Sequence, residues 1–263
     1  MELTILILTA DIGNTNITLG VFDGDNLVCI SRLATQRHRT AEQYAIELSS
    51  IFNLENINTQ NISGAIISSV VPELTRIFKT AIMKVADCDA LVVAAGIKNG
   101  LKIKTDNPKE LGADLVAGAV GAINQYELPC LVMDLGTATK ISVIDEDGTF
   151  VGCTIAPGIG ISLDALAMRT SQLPTIELCA PKSPIGTNTI ECIRSGIVLG
   201  NAAMLDGMAD KLEKDLGKEI KTLVATGGLA KEIISCCDKD IIFNKDLVLQ
   251  GLLSIYRKNR QEE

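Results

Sequence analysis

Two short segments 123 positions apart carry the same device, and this repetition limits the folds open to the chain. Asp11-Ile12-Gly13-Asn14-Thr15 and Asp134-Leu135-Gly136-Thr137-Ala138 each close one apolar, strand-like run and open another. Residues 3–8 precede the first bend; residues 17–22 and an acidic turn, Asp23-Gly24-Asp25, follow it. Residues 130–133 precede the second, with residues 141–144 and a turn over 145–148 after it. The pattern predicts strand, bend, strand, turn and strand, built twice. Two such hairpins facing one another can hold a nucleoside triphosphate between two lobes.

The bend chemistry accounts for the residue types. Glycine at 13 and 136 permits positive φ and lets backbone N–H groups approach a phosphate with no Cβ in the way. Thr15, Asn16, Thr137 and Thr139 add side-chain donors. Asp11 and Asp134 repel phosphate, so they make sense as outer ligands of a hard cation such as Mg²⁺ that bridges to it. A single Asp-x-Gly-Thr is also how ordinary turns are written; the matched pair is what carries the signal.

At 263 residues the chain suits two lobes, and 47% apolar residues supply a core. Runs of about 18 apolar residues are lacking, so no membrane span is expected. Glu2 stands where a signal peptide would be basic, and the apolar start reads as a first core strand. A net charge of −8 with dispersed basic residues, 3% aromatics and no Trp argues against a nucleic-acid partner. The eight cysteines form no C-x-x-C pair and are read as buried free thiols in a reducing cytoplasm. His38, between two arginines, reads as a solvated loop residue, and the Met204/Met208 pair as packing.

Between the hairpins, Thr40-x-x-Gln43 forms a capping box before a helix whose apolar face is Tyr44, Leu48, Ile51 and Phe52. Residues 65–72 read as a short apolar strand ending in a hydroxyl-rich loop that holds Ser68-Ser69, with a helix after it, and another strand covers 90–94. Later, a long helix opens at Asn188 and runs toward Gly217, followed by a strand over 222–225 and Thr226-Gly227-Gly228. Ser68-Ser69 holds the place in the first half that Thr226-Gly227-Gly228 holds in the second. The expected fold is α/β: a duplicated actin-like, RNase H-like architecture of two mixed sheets flanked by helices. The division is placed at residues 1–115 and 116–263. Asn107-Pro108-Lys109-Glu110 reads as a helix start, with Asp114 bordering a stripe of Leu111, Leu115, Gly118 and Ala122. Gly118 and Gly121 leave room for a ligand or another backbone.

The chain resembles the actin-like ATPase and sugar-kinase superfamily, and within it type III pantothenate kinase. The carrying residues are 11–18, 107–114, 134–138, Pro157-Gly158, 186–189 and 226–228. The resemblance implies ATP-dependent phosphorylation of pantothenate, the first step toward coenzyme A, by a cytoplasmic homodimer. It implies ATP phosphates on Asp11, Ile12, Gly13, Asn14, Thr15, Asn16, Ile17 and Thr18 and at Thr137, with Mg²⁺ held indirectly by Asp11. A monovalent cation, K⁺ or NH₄⁺, would sit at Asp134. Pantothenate would contact Gly112, Ala113, Asp114, Leu115 and Thr189, with Asp114 as the base. The family often has Arg where this chain has Leu115 and Tyr where it has Thr105, which keeps open a kinase for another hydroxyl substrate. A nucleotide-binding regulator is the non-enzymatic alternative; acceptor-dependent ADP release separates it from both kinases.

Overall fold

The computed structural model describes residues 5–169, 173–174 and 176–260. Residues 3 and 4 of the expected first strand lie outside that range. The chain runs β1 (Leu6–Ile12), β2 (Asn16–Asp23), β3 (Asn26–Ala34), α1 (Ala41–Leu54), β4 (Ile62–Ser69), α2 (Pro72–Ala86) and β5 (Ala90–Val92). Then come β6 (Lys102–Ile103), α3 (Ala113–Ile123), β7 (Cys130–Leu135), β8 (Ala138–Ile144), β9 (Thr149–Pro157) and α4 (Ile159–Arg169). Next, α5 (Thr189–Arg194) passes through a π-helical turn, Ser195–Leu199, into α6 (Gly200–Leu216). The remaining elements are β10 (Thr222–Thr226), α7 (Ala230–Ile234), β11 (Ile242–Phe243) and α8 (Leu247–Arg260).

Two compact units result. The first holds the described residues up to Leu101, Asn107–Asn124 and those from Leu247 onward; the second holds Lys102–Asp106 and Gln125–Asp246. This differs from a cut between residues 115 and 116, which would split α3. That helix stays whole because its Val116, Ala117 and Val120 pack with Leu249, Leu252 and Leu253 of α8. Gly251 permits the fit: a Cβ there would run into the Ala117 carbonyl.

Both units repeat one sheet topology. The first sheet is ordered β3-β2-β1-β4-β5, and the second contains β9-β8-β7-β10-β11, with β6 added at the β9 edge. In each, an antiparallel three-stranded meander is extended by parallel strands. Parallel extension needs a crossover, and a helix supplies it between β3 and β4 and between β9 and β10.

Alternation along β1 shows how the first sheet is covered. Leu6, Leu8, Ala10 and Ile12 join the core with Tyr44, Leu48 and Phe52 of α1 and Leu74, Phe78 and Ile82 of α2. Ile7 instead joins the α3/α8 core, as Ile66 of β4 does. With a side-chain period of two, Asp11 and Ser68 belong to that α3/α8 face. In the second unit Leu131, Met133 and Leu135 of β7 pack with α4 to α7, which puts Asp134 on the opposite face. Met204 and Met208 pack against this core, as expected.

The capping box on α1 forms in both directions: Thr40 Oγ1 accepts from Gln43 N, and Gln43 Oε1 accepts from Thr40 N at 2.9 Å. Asn188 caps α5 by accepting from Glu191 N at 3.0 Å, and Gly217 ends α6 at φ +68°. The expected helix start at Asn107 is a correction. Residues 108–110 form a single 3₁₀ turn, and Asn107 donates to the Glu110 carboxylate rather than capping. Helix α3 begins later, with Gly112 at its N-cap. The thiols also differ from expectation: Cys29, Cys88 and Cys130 are buried, but Cys153, Cys179 and Cys192 are exposed. His38 is exposed, as read. Among the described residues no helix is long and apolar enough to cross a membrane.

Candidate active site

The first bend is a tight β1–β2 connection closed by Gly13 N donating to Asn16 O at 2.9 Å. Its glycine is not at positive φ, contrary to expectation. Close approach is the reason for it: a Cβ on Gly13 would lie 3.0 Å from the Asn16 carbonyl. Asn14, Thr15 and Asn16 are exposed, whereas the Ile12 and Ile17 side chains are fully buried. Those two isoleucines therefore offer a ligand only their backbone. The loop after β3 braces the bend, because Thr35 Oγ1 donates to Gly13 O at 2.7 Å and Thr35 N to Thr15 O at 2.9 Å. Arg37 donates to Asn14 Oδ1 at 2.9 Å and pairs with Glu73 of α2 at 3.3 Å. Neither Thr35 nor Arg37 was found from sequence; a Thr and an Arg just past a strand carry no signal of their own.

Asp11 sits beside Ser68 across the parallel β1/β4 ladder. Ser68 is wholly buried, and its hydroxyl has no protein hydrogen-bond partner. A carboxylate next to an unsatisfied hydroxyl is a donor set that suits a hydrated hard cation such as Mg²⁺. Helix α3 covers this face of the sheet and carries Asp114 in its first turn. Asp114 is half-buried, and its Oδ1 accepts from Leu115 N at 2.8 Å. The carboxylate folds back over Gly112, where a Cβ would come within 2.6 Å of Oδ1. Leu115 is half-buried beside it.

The second bend repeats the first in the other unit. Gly136 N donates to Ala138 O at 3.2 Å, and Gly136, like Gly13, is not at positive φ. Asp134 stands beside Thr226 of β10, as Asp11 stands beside Ser68. Thr137 is exposed at the tip. Two distant segments press on this bend. Gly227 adopts φ +106° with its α-carbon against the Leu135 carbonyl, and Gly158 lies against the Gly136 and Thr137 carbonyls. The motifs 134–138, 157–158 and 226–228 are therefore one local constellation.

Thr189 is exposed at the start of α5 and lines a cavity of about 750 Å³ with Asn188, Cys192, Gly196, Ile197 and Leu166. The π-helical turn forms part of its wall; such turns are frequent at functional sites. Thr105 is partly buried, and its hydroxyl has no protein partner.

Asp134 also meets a residue that sequence reading passed over. Lys140 lies opposite it in the β7/β8 ladder, with Nζ 2.7 Å from Oδ2. A cation on a strand otherwise made of Ala, Thr, Ile, Ser and Val was the available signal. A monovalent ion at Asp134 fits poorly, because an ammonium already neutralises that carboxylate.

Duplicated 3-2-1-4-5 sheets with an aspartate at each first bend define the actin-like ATPase and sugar-kinase fold. Solved structures agree in fold. A Baf-family transcriptional activator from Campylobacter jejuni superposes with TM-score 0.60 at 19% identity, covering 97% of this chain and 99% of that one. Component A of the (R)-2-hydroxyglutaryl-CoA dehydratase from Acidaminococcus fermentans gives 0.59 at 17%, covering 98% of each.

Sequence relationships narrow the class to one family. The family model for type III pantothenate kinase matches residues 7–211. The type III pantothenate kinase of Halalkalibacterium halodurans is 42% identical over 254 residues, covering 97% of this chain and all of the relative. That of Roseiflexus castenholzii is 42% identical over 256 residues with the same coverage. The chain belongs to the type III pantothenate kinase family.

Proposed function

We propose that this chain transfers the γ-phosphoryl group of ATP to the hydroxyl of pantothenate, giving 4′-phosphopantothenate for coenzyme A synthesis in the cytoplasm. The observation that carries this reading is the matched register of the two bends, Asp11 beside Ser68 and Asp134 beside Thr226, in a chain of this family. Phosphoryl transfer asks mainly for positioning and charge neutralisation. The backbone and exposed side chains of residues 11–18, together with Thr137, hold the phosphate oxygens. Asp11, with Ser68 nearby, would hold Mg²⁺ indirectly, and the ion would supply neutralisation of the triphosphate charge. Asp114 accepts the acceptor hydroxyl's proton, the task of a general base. Gly112, Ala113, Leu115 and Thr189 orient pantothenate. Leu115 brings no charge to the pantothenate carboxylate, so that grip falls to other groups.

The deciding assay is ADP release with and without pantothenate. Acceptor-dependent release is expected; tight ATP binding without it would point to a regulator. Asp114→Asn should lower kcat by at least about 100-fold at unchanged Tm. An undiminished rate removes Asp114 from the chemistry.

We also propose a homodimer formed through the second unit. Its Ile155, Met168 and Ile185 are 68, 82 and 80% exposed, apolar surface that a second copy would cover, although Ile46 and Leu54 of the first unit are exposed to 67 and 80%. Light scattering should give twice the mass of one chain; a monomer at micromolar concentration would reject the arrangement.

A further inference from the structure

We propose that the Lys140 ammonium group is a tethered replacement for the monovalent cation expected at Asp134, so that this enzyme turns over without K⁺ or NH₄⁺. The inference rests on the kinase reading above and goes beyond it. Antiparallel pairing puts Lys140 directly across from Asp134 and on the same face. The 2.7 Å Nζ–Oδ2 separation is that of a charge-assisted hydrogen bond. Both side chains are shielded, with 15% of Lys140 and 22% of Asp134 exposed, so the pair is more than a solvated surface contact.

The first hairpin supplies the contrast. There the residue opposite Asp11 is Thr18, which carries no charge. Only the second hairpin brings its own cation. An ammonium has the charge of K⁺ and three donors to aim at oxygens, and its covalent stem removes the need to capture an ion from solution. A free monovalent cation drawn to Asp134 would have to approach a like charge already bonded to that carboxylate.

The test uses the full chain and direct chromatographic measurement of ADP, since a coupling enzyme could itself need K⁺. Turnover is compared in tetramethylammonium, Na⁺, K⁺ and NH₄⁺ buffers of equal ionic strength. For the unaltered chain, rates should agree within about twofold across all four. Lys140→Thr should lose at least about tenfold in tetramethylammonium and recover in K⁺ or NH₄⁺. A tenfold or greater K⁺ requirement in the unaltered chain overturns the proposal. So does a Lys140→Thr variant that ignores K⁺.

A second readout needs no acceptor: Tm with MgADP in K⁺ and in tetramethylammonium. The unaltered chain should show equal values, and Lys140→Thr or Lys140→Gln a K⁺-dependent rise. A K⁺-dependent rise in the unaltered chain counts against Lys140. If pantothenate is not turned over in any buffer, the kinase reading fails while the Tm comparison still decides the role of Lys140. Should both variants misfold, the buffer comparison on the unaltered chain decides alone.

Discussion

Gly227 shows how much of the second bend depends on one missing methyl group. At φ +106°, with the Leu135 carbonyl where a Cβ would go, alanine is both strained and obstructed. Gly227→Ala should cost about 2 kcal/mol or more of stability, read by urea denaturation. The cysteines give a second prediction at this scale. Burial pushes the Cys130 thiol from 9.0 up to about 12, and Cys237 up to about 12 for the same reason, with Asp206 adding to it. The unfolded chain therefore releases these protons first. Their contribution to stability is complete below pH 9 and declines as pH rises toward 12. Unfolding midpoints should fall across that window, and replacing Cys130 with Ala should flatten the fall. Iodoacetamide at pH 8 should modify the exposed Cys179 and leave Cys130 untouched, because Cys130 is buried and its thiol is held protonated. Sequence could not sort these thiols, since a cysteine among Val, Ile and Ala sits equally well on a buried strand or an exposed one. Asp11, Asp134 and their glycines were legible because the repeat marked them. The reason for the glycines differs from the one expected: neither is at positive φ, and Gly13 answers to the nearby Asn16 carbonyl of its own bend.

Whole elements were easiest to read where side chains themselves close the ends. Thr40 and Gln43 announce α1, and Asn188 announces α5, because each cap is a hydrogen bond from a short polar side chain to a nearby N–H. Thr40→Ala should cost about 1 kcal/mol in urea denaturation, without affecting nucleotide binding. Helix α3 was misjudged at its start because Asn107-Pro108-Lys109-Glu110 satisfies itself as a single turn, while the true N-cap, Gly112, has no side chain to advertise it. The π-helical turn at Ser195–Leu199 was equally hidden: its extra residue shifts hydrogen bonds without changing the apolar spacing. Lys140 escaped attention for a related reason. Its partner is chosen by hairpin register, which the turn type and loop length set, so Lys140 could be paired only once the bend was closed between Leu135 and Thr139.

At the scale of the molecule, reading along the chain found the duplication and placed the join near α3, yet it assigned the last helix to the wrong unit. Nothing local in α8 says where its apolar side chains go. The answer lies in Phe22, Ile66 and Val116, more than a hundred residues earlier. Removing residues from Leu247 onward should expose that core. Hydrogen exchange should then rise in β1, β4 and α3, while β7, β8 and β10 stay protected; equal loss in both units would contradict the division.

This return of α8 also orders events at the ribosome. Nearly the whole second unit, Gln125–Asp246, is translated before α8 exists. The earlier unit must wait with the apolar surface that α8 packs on uncovered, so the part made first is the part sealed last.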